Sequence, residues 1–275
     1  MIFRPPSGTP AELVSGRPLR ILRLMLGLRA TTASYNQFSL PMRDRQKITI
    51  CTYCKTELPV PKEISLFEGD GTIRGFFRAL RSAMAAGEYD VVHAHSPHVG
   101  CFFLIATLLH RRLRRSSVAT VHNSYQSFRL RNRLLFLPIF VGFSRIVCCG
   151  LASYNSLPSW MKWLAGKRLS FVPNGVDISR IDRALKTNAA GATHEKFTVV
   201  SVARLIQVKK PSTLLQAFGQ VNDPQSRLVF FGEGLLTAQL ATDIRARRLD
   251  DRVTLAGLVA RDTVYEALRT ADLFV

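Results

Sequence analysis

Residues Val199–Phe218 read VVSVARLIQVKKPSTLLQAF and are the most informative stretch of the chain. The run Phe197–Ala203 is apolar, β-branched and uncharged, which predicts a buried parallel strand. Arg204 and Lys209 follow in a short loop, and Pro211 suits the first turn of a helix with an apolar face. Backbone N–H groups, the helix dipole and two cations there can hold a diphosphate. Taken alone, the pattern fits two solvated cations on a loop equally well.

The segment resembles the donor-phosphate loop of retaining glycosyltransferases of family 4, which have the GT-B fold. In that family a strand is followed by an Arg and, five residues later, by a Lys that opens a helix. Arg204 and Lys209 stand in those places, whereas Lys210 replaces the Gly that usually follows. The resemblance extends from Leu19 to the end of the chain. It implies an α/β fold of two Rossmann-like domains that face each other across a cleft, the second domain being incomplete.

Length and composition indicate a globular protein. The 275 residues are 47% hydrophobic and 21% charged, which allows two domains, each with its own core. No apolar run reaches membrane-spanning length, and the N-terminus lacks the apolar core of a signal peptide. We therefore expect a flexible leader at residues 1–18 and a cytoplasmic location.

The clearest domain boundary is Leu169–Asp177, LSFVPNGVD, where a strand runs into Pro173 and an Asn-Gly turn pair. The resemblance places the crossing between the two domains here. After the leader we predict two domains: an N-terminal acceptor-side domain at 19–173 and a partial C-terminal nucleotide-sugar-binding domain at 174–275.

Glycines follow several of the predicted strands. A glycine at the carboxyl end of a strand lets backbone approach a ligand closely. The resemblance places four of them at the donor site, although the family usually has a glycine pair where this chain has Gly27 alone. The four are Gly27, Gly232, Gly234 and Gly257.

Histidines end two predicted strands, Tyr89–His95 and Ser117–His122. The resemblance makes His122 the catalytic candidate, facing the transferred sugar, and the alternative is a hydrogen-bonded histidine at a strand end. We expect His93 and His95 to lie on opposite faces of their strand, which makes them poor partners for one metal ion. No Asp-x-Asp motif occurs, so we expect no metal and no cofactor besides a nucleotide diphosphate sugar as donor substrate.

The net charge of +19 is unevenly spread. Residues 181–275 hold 13 of the 38 basic and 10 of the 19 acidic residues, which leaves a net charge of +16 on residues 1–180. Between Asp90 and Asp177 there is no acidic residue. Such a surface implies an anionic partner: a membrane, a nucleic acid or a phosphorylated substrate.

Two arginine clusters flank the strand that ends at His122. The second cluster runs into the apolar segment Leu134–Phe143, a pattern typical of segments in a membrane interface, although Pro138 interrupts it as one helix. The alternative is a core helix with a solvated basic end. Aromatic residues are too few there to favour base stacking, so we do not expect a nucleic-acid partner. The predicted membrane or acceptor surface comprises Arg111, Arg112, Arg114, Arg115, Arg129, Arg131 and Arg133.

The resemblance implies an enzyme that transfers a sugar from a nucleotide diphosphate sugar, with retention, to a lipid-linked or envelope glycan acceptor. The charge favours peripheral binding at the inner face of an anionic membrane. The family's next segment carries two glutamates, and the sequence ends at Val275 before it, so we expect activity impaired by C-terminal truncation. The alternatives are an inactive fragment, a non-catalytic binding subunit and, with least support, a nucleic-acid-binding protein.

Overall fold

The computed structural model describes residues 17–29, 32–187 and 196–275. It divides after Val176 into two compact units, each built on a parallel sheet. This division lies three residues beyond the predicted domain boundary. The predicted leader, residues 1–18, lies outside the described residues except for its last two.

Within the described residues, the first unit has a seven-stranded sheet with the order β3-β2-β1-β4-β5-β6-β7. All its strand pairs are parallel, so the carboxyl ends of the strands share one edge, where α/β proteins bind ligands. The strands are β1 (Arg20–Met25), β2 (Lys47–Thr52), β3 (Ile64–Glu68), β4 (Val91–Ala94), β5 (Ser117–Val121), β6 (Arg145–Cys148) and β7 (Leu169–Phe171).

Helices cover this sheet and bury its apolar side chains. The amphipathic helix Ile73–Ala85 has a side-chain cap: Oγ1 of its N-cap residue Thr72 accepts a hydrogen bond from Gly75 N at 3.0 Å. The helices are α1 (Ala33–Phe38), α2 (Ile73–Ala85), α3 (Pro97–Ala106), α4 (Arg111–Arg115), α5 (Leu130–Leu134), α6 (Phe136–Gly142), α7 (Leu151–Asn155) and α8 (Ser159–Ala165). Short 3-10 turns lie at Leu40–Met42, Tyr125–Ser127 and Gly166–Arg168.

Prolines lie at two places where helical segments of the first unit are divided. Helices α7 and α8 are separate, because Pro158 between them cannot continue a helix and restricts the residue before it. The segment Leu134–Phe143 is also not one helix. It breaks at Leu135, and Pro138 lies in the first turn of α6, where its missing N–H is tolerated.

The second unit has a four-stranded parallel sheet in its described residues, with the order β10-β9-β8-β11. The strands are β8 (Thr198–Val202), β9 (Arg227–Phe231), β10 (Val253–Gly257) and β11 (Leu273–Phe274). The helices are α9 (Ile178–Thr187), α10 (Pro211–Phe218), α11 (Thr237–Ala246) and α12 (Arg261–Arg269). The predicted α/β fold of Rossmann-like type is confirmed.

Candidate functional site

The loop after β8 carries two free cations. β8 ends at Val202, a 3-10 turn spans Gln207–Lys209, and α10 begins at Pro211. Arg204 and Lys209 are exposed, and among the described residues neither side chain has a hydrogen-bond or ion-pair partner. Free cations between a strand end and a helix start can bind an anion such as a phosphate. Both side chains predicted to bind phosphate are therefore available.

Main-chain hydrogen bonds hold this loop against the loop after β9. Leu205 N donates to Glu233 O at 3.0 Å, and Leu236 N donates to Leu205 O at 3.0 Å. The neighbour of Arg204 is thus held on both its N–H and its carbonyl group by the glycine loop, residues 232–234, and the residues after it. This pairing fixes the backbone from which the Arg204 side chain extends.

Gly232 and Gly234 are required where the two loops meet. Gly232 has a φ of +125°, and a Cβ there would collide with the carbonyl oxygen of Ala203. A Cβ at Gly234 would collide with the carbonyl oxygen of Leu205. The sequence predicted that these glycines let backbone approach a ligand. The backbone that they admit in the structure is the chain's own, and their contact with a donor stays a prediction.

The other two predicted donor-site glycines differ from each other. Gly257 ends β10 with a φ of +69°, a conformation that favours glycine, and its carbonyl accepts a hydrogen bond from Gly232 N at 2.8 Å. Gly27 follows β1, and a Cβ there would only come into van der Waals contact with Cys54 Cβ, at 3.5 Å. Gly257 therefore supports the glycine loop, whereas the described backbone does not require glycine at position 27.

Lys210 has a left-handed backbone conformation, with φ 48° and ψ 45°, directly before α10. This conformation costs a non-glycine residue about 1–2 kcal/mol. It is the position at which the resembled family usually has glycine. The loop thus carries a third exposed cation on an unfavourable backbone.

Three partly buried histidines and one buried arginine form a polar cluster on β1, on β4 and at the carboxyl ends of β4 and β5. Arg23 donates from Nη1 to Nδ1 of His93 at 3.5 Å and to Nε2 of His95 at 3.2 Å. Nδ1 of His95 lies 3.2 Å from Nε2 of His122. The expectation that His93 and His95 lie on opposite faces is wrong, because residues two apart in a strand share a face. Their ring centroids are 4.0 Å apart.

Arg23 is the member of this cluster that the sequence analysis missed. Its exposed fraction is 6%, and Nη2 donates to Phe38 O at 2.9 Å. A charged residue is rarely buried without a partner, so an arginine inside the apolar strand LRILRLML was a signal. Its partners depend on the register of β1 and β4, which places Arg23 opposite His93.

Burial keeps the histidines of the cluster neutral. Desolvation lowers the pKa of His93 to about 3 and the pKa of His95 well below its usual value, and the Arg23 cation acts in the same direction. Burial also lowers the pKa of His122. Desolvation lowers the pKa of Arg23 to about 10, so Arg23 is a cation at neutral pH.

His122 and His95 line a pocket of about 170 Å³ in the first unit. Polar side chains of His98, Asn123 and Asn132 share its wall with two phenylalanines. The predicted sugar-contacting histidine therefore lies at a concave surface that has hydrogen-bonding neighbours, as ligand pockets do. Among the described residues, no group of His, Cys, Asp and Glu is arranged to hold a metal ion.

Some of the arginines predicted to form a basic surface have hydrogen-bond or ion-pair partners, and others have none among the described residues. Arg114 and Arg133 donate to backbone carbonyl groups at 2.6–2.9 Å, which ties their guanidinium groups to the fold. Arg112 lies 3.5 Å from Glu88 in an exposed ion pair. The side chain of Arg111 lies outside the described residues. The exposed members without a described partner are Arg115, Arg129 and Arg131.

Helices α5 and α6 have one buried and one exposed apolar face. Phe136, Ile139 and Phe140 enter the core of the first unit. Four apolar side chains spaced by four, three and four residues point outward and form the outer stripe, with exposed fractions of 50–72%. No helix within the described ranges combines the length and the apolar character that a bilayer crossing needs. The outer stripe comprises Leu130, Leu134, Leu137 and Val141.

Two family models match the chain in succession. The model described as Glycosyltransferase Family 4 matches residues 53–180, and the model described as Glycosyl transferases group 1 matches residues 182–275. EpsD of Bacillus subtilis (strain 168), which is named provisionally as a glycosyltransferase, is 24% identical over 212 residues. The match covers 72% of this chain and 55% of EpsD, so the chain spans about half the length of this relative.

Solved structures with the GT-B fold also match the chain. Alr3699/HepE of Anabaena, solved in complex with UDP and glucose, is 19% identical with a TM-score of 0.69 over 93% of this chain and 73% of that chain. Sucrose-phosphate synthase of Thermosynechococcus elongatus is 12% identical with a TM-score of 0.68, over 93% of this chain and 74% of that chain. Likeness at this level of identity establishes the fold.

Proposed function

This chain belongs to the family-4 and group-1 glycosyltransferases of the GT-B fold, and from that membership we propose that it transfers a sugar from a nucleoside diphosphate sugar to an acceptor. The observation that carries the proposal is the loop after β8, where Arg204 and Lys209 are free between a strand end and a helix start. The chemistry of that loop suits a diphosphate. The UDP in the complex of Alr3699/HepE supports a nucleotide donor.

The two cations would act on the leaving group. As the bond between sugar and diphosphate breaks, negative charge grows on the phosphate oxygens, and fixed cations stabilise this charge. The hydrogen bonds between Leu205 and the glycine loop hold the Arg204 backbone in place before the reaction begins. His122 supplies a neutral ring at the pocket of the first unit. Retention at the anomeric carbon is part of the proposal and rests on the family resemblance.

The acceptor side of the proposal is a glycan or lipid-linked acceptor at an anionic membrane surface. Residues 91–176 contain eleven Lys and Arg residues and no Asp or Glu, so their charge is complementary to anionic lipid. The outer stripe adds exposed apolar side chains beside Arg129 and Arg131. Apolar side chains with neighbouring cations suit the boundary between headgroups and acyl chains.

The donor part is tested by the binding of nucleoside diphosphates. Arg204→Ala and Lys209→Ala should each weaken the binding of UDP, or of whichever diphosphate binds best, by roughly ten- to a hundredfold, because each removes a charge-assisted contact of about 1.5–3 kcal/mol. Isothermal titration calorimetry measures the dissociation constants. Arg245→Ala is the matched control, since it removes an exposed cation at the far end of α11.

Equal weakening by Arg245→Ala would show that the effect is only one of net charge and would contradict a diphosphate site in the loop. Transfer is tested with a panel of nucleotide sugars and membrane lipids by following the release of nucleoside diphosphate. Release that depends on the acceptor and falls in Arg204→Ala supports the enzyme. Tight binding without any release in the whole panel indicates the non-catalytic binding subunit instead.

The membrane part is tested with lipid vesicles. Arg129→Gln/Arg131→Gln should weaken binding to vesicles that contain anionic lipid by about 30-fold, because each cation near the surface contributes about 1 kcal/mol. Leu134→Gln/Leu137→Gln should also weaken it, whereas Leu235→Gln, an exposed leucine of the second unit, should not. Co-sedimentation at increasing salt measures the effect. Equal binding to neutral vesicles, or tighter binding to duplex DNA than to vesicles, would refute a membrane surface.

A further inference from the structure

Arg23 is a buried cation for which sugar transfer as described above gives no role. Both Nη1 hydrogens go to histidines and Nη2 donates to a carbonyl group, while Nε has no partner among the described residues. No carboxylate in the described part of the chain forms an ion pair with it. A buried charge without a counter-ion destabilises the fold. Its place in the cluster therefore suggests a task other than stability.

The hydrogen bonds of Arg23 determine where two histidines carry their protons. A guanidinium group only donates, so Nδ1 of His93 and Nε2 of His95 are both unprotonated acceptors. A neutral imidazole carries a single N–H. The proton of His93 is therefore on Nε2, which lies 2.7 Å from Thr120 Oγ1. The proton of His95 is on Nδ1, which lies 3.2 Å from Nε2 of His122.

His122 is the end of this chain of hydrogen bonds. Its Nε2 accepts from His95, so its own single proton is on Nδ1. None of the described residues accepts a hydrogen bond from that N–H, and the ring lines the pocket. We propose that Arg23 is a positioning residue that acts through His95 to hold His122 in the Nδ1–H tautomer, so that the pocket presents one fixed N–H donor to its ligand.

A fixed tautomer selects among ligands. A His122 ring held in this state donates one hydrogen bond and has its only lone pair occupied, so it favours an oxygen acceptor over a donor group at that point. Without Arg23, His95 can exchange its tautomer, and His122 can then present a lone pair instead. For the proposed transferase, the oxygen that accepts this hydrogen bond from His122 would be a hydroxyl or ring oxygen of the sugar. The identification of that oxygen as part of a sugar rests on the proposed function, whereas the assignment of the histidine tautomers does not.

Ligand-free NMR of the full chain with ¹⁵N-labelled histidine tests the proposal, because protonated and unprotonated ring nitrogens give different shifts. At neutral pH the wild-type protein should show His93 with its proton on Nε2, and His95 and His122 with theirs on Nδ1. In Arg23→Met, the signals of His95 and His122 should show a mixture of the Nδ1–H and Nε2–H tautomers. Arg20→Met is the matched control, since Arg20 is exposed on the same strand, and it should leave the three signals unchanged.

A proton on Nε2 of His122 in the wild-type protein would overturn the proposal, and so would unchanged tautomers in Arg23→Met. If Arg23→Met does not fold, His95→Phe provides the second variant: it keeps an aromatic ring at the position but cannot relay the hydrogen bond, and His122 should again lose its single tautomer. The absence of sugar transfer in a protein with the expected tautomers would contradict the proposed function and leave the role of Arg23 standing.

Discussion

Acidification from pH 6.5 to about pH 4.5 is expected to lower the free energy of unfolding of the first unit by about 2–5 kcal/mol. The folded state holds His93 and His95 neutral, because burial lowers the pKa of His93 to about 3 and that of His95 well below its usual value. Once unfolded, both bind a proton below the ordinary value of 6.5. The unfolded state then binds more protons, so stability falls as the pH falls, by about 1.4 kcal/mol per pH unit for each histidine.

Urea unfolding at several pH values measures this effect, with tryptophan fluorescence as the probe. The two tryptophans of the chain, Trp160 and Trp163, are both in α8 of the first unit, so their signal reports on that unit. Stability should be nearly flat between about pH 7.5 and pH 8 and fall steadily below pH 6.5. Well above pH 8 it should fall again, because burial raises the pKa values of the Cys51, Cys101 and Cys148 thiols. Carboxylates with lowered pKa values, such as Asp90 beside Arg17, lose their contribution only below about pH 3.8 and do not disturb this window.

Single histidine variants assign the pH dependence. His93→Gln and His95→Gln should each make the slope clearly smaller, whatever they do to stability at neutral pH, because each removes one of the protons taken up on unfolding. His98 and His122, whose pKa values burial also lowers, account for the slope that remains. His110→Gln replaces an exposed histidine of the same unit and should leave the slope unchanged. A wild-type slope that persists in both buried-site variants would assign acid sensitivity to other groups.

Gly232→Ala is expected to destabilise the second unit by about 2–6 kcal/mol. The φ of +125° is unfavourable for alanine, and the added Cβ would collide with the Ala203 carbonyl oxygen, which belongs to backbone and cannot rotate away. The collision would push the loop after β8, which carries Arg204, away from the loop after β9. The variant should therefore also lose nucleoside diphosphate binding, more completely than Arg204→Ala does.

Hydrogen exchange of peptides from β8, β9 and β10 measures this loss within the second unit. Gly219→Ala is the matched control, because Gly219 has a helical φ of −63° and space for a Cβ at van der Waals distance. The tryptophan signal should show that the first unit is intact. Wild-type exchange rates in Gly232→Ala would mean that the loops do not approach each other as closely as the structure has them.

The elements that set the fold carry local signals and were predictable. β8 and α10 could be predicted because an apolar β-branched run and a proline at a helix start depend only on near neighbours. α9 was not predicted. Six of the ten residues in its sequence, ISRIDRALKT, are polar, and the helix packs against α12, more than 70 residues further along the chain.

The candidate site was predictable where the chemistry belongs to a single loop, as with Arg204 and Lys209. The histidine cluster was not, because Arg23 and His95 are 72 residues apart and their contact depends on how β1 and β4 align. The approach of Gly232 to Ala203 likewise depends on β8 and β9 being neighbours. A sequence pattern records which residues are present, and only strand register determines which of them touch.

The left-handed Lys210 has a consequence for how this loop responds to selection. A screen for thermostability should favour glycine there, because glycine removes the backbone strain. A screen for affinity towards polyanions should favour lysine, because it keeps a third positive charge beside the helix start. The two screens therefore select different residues at position 210. A single substitution there, lysine to glycine, raises stability and lowers the affinity for anions.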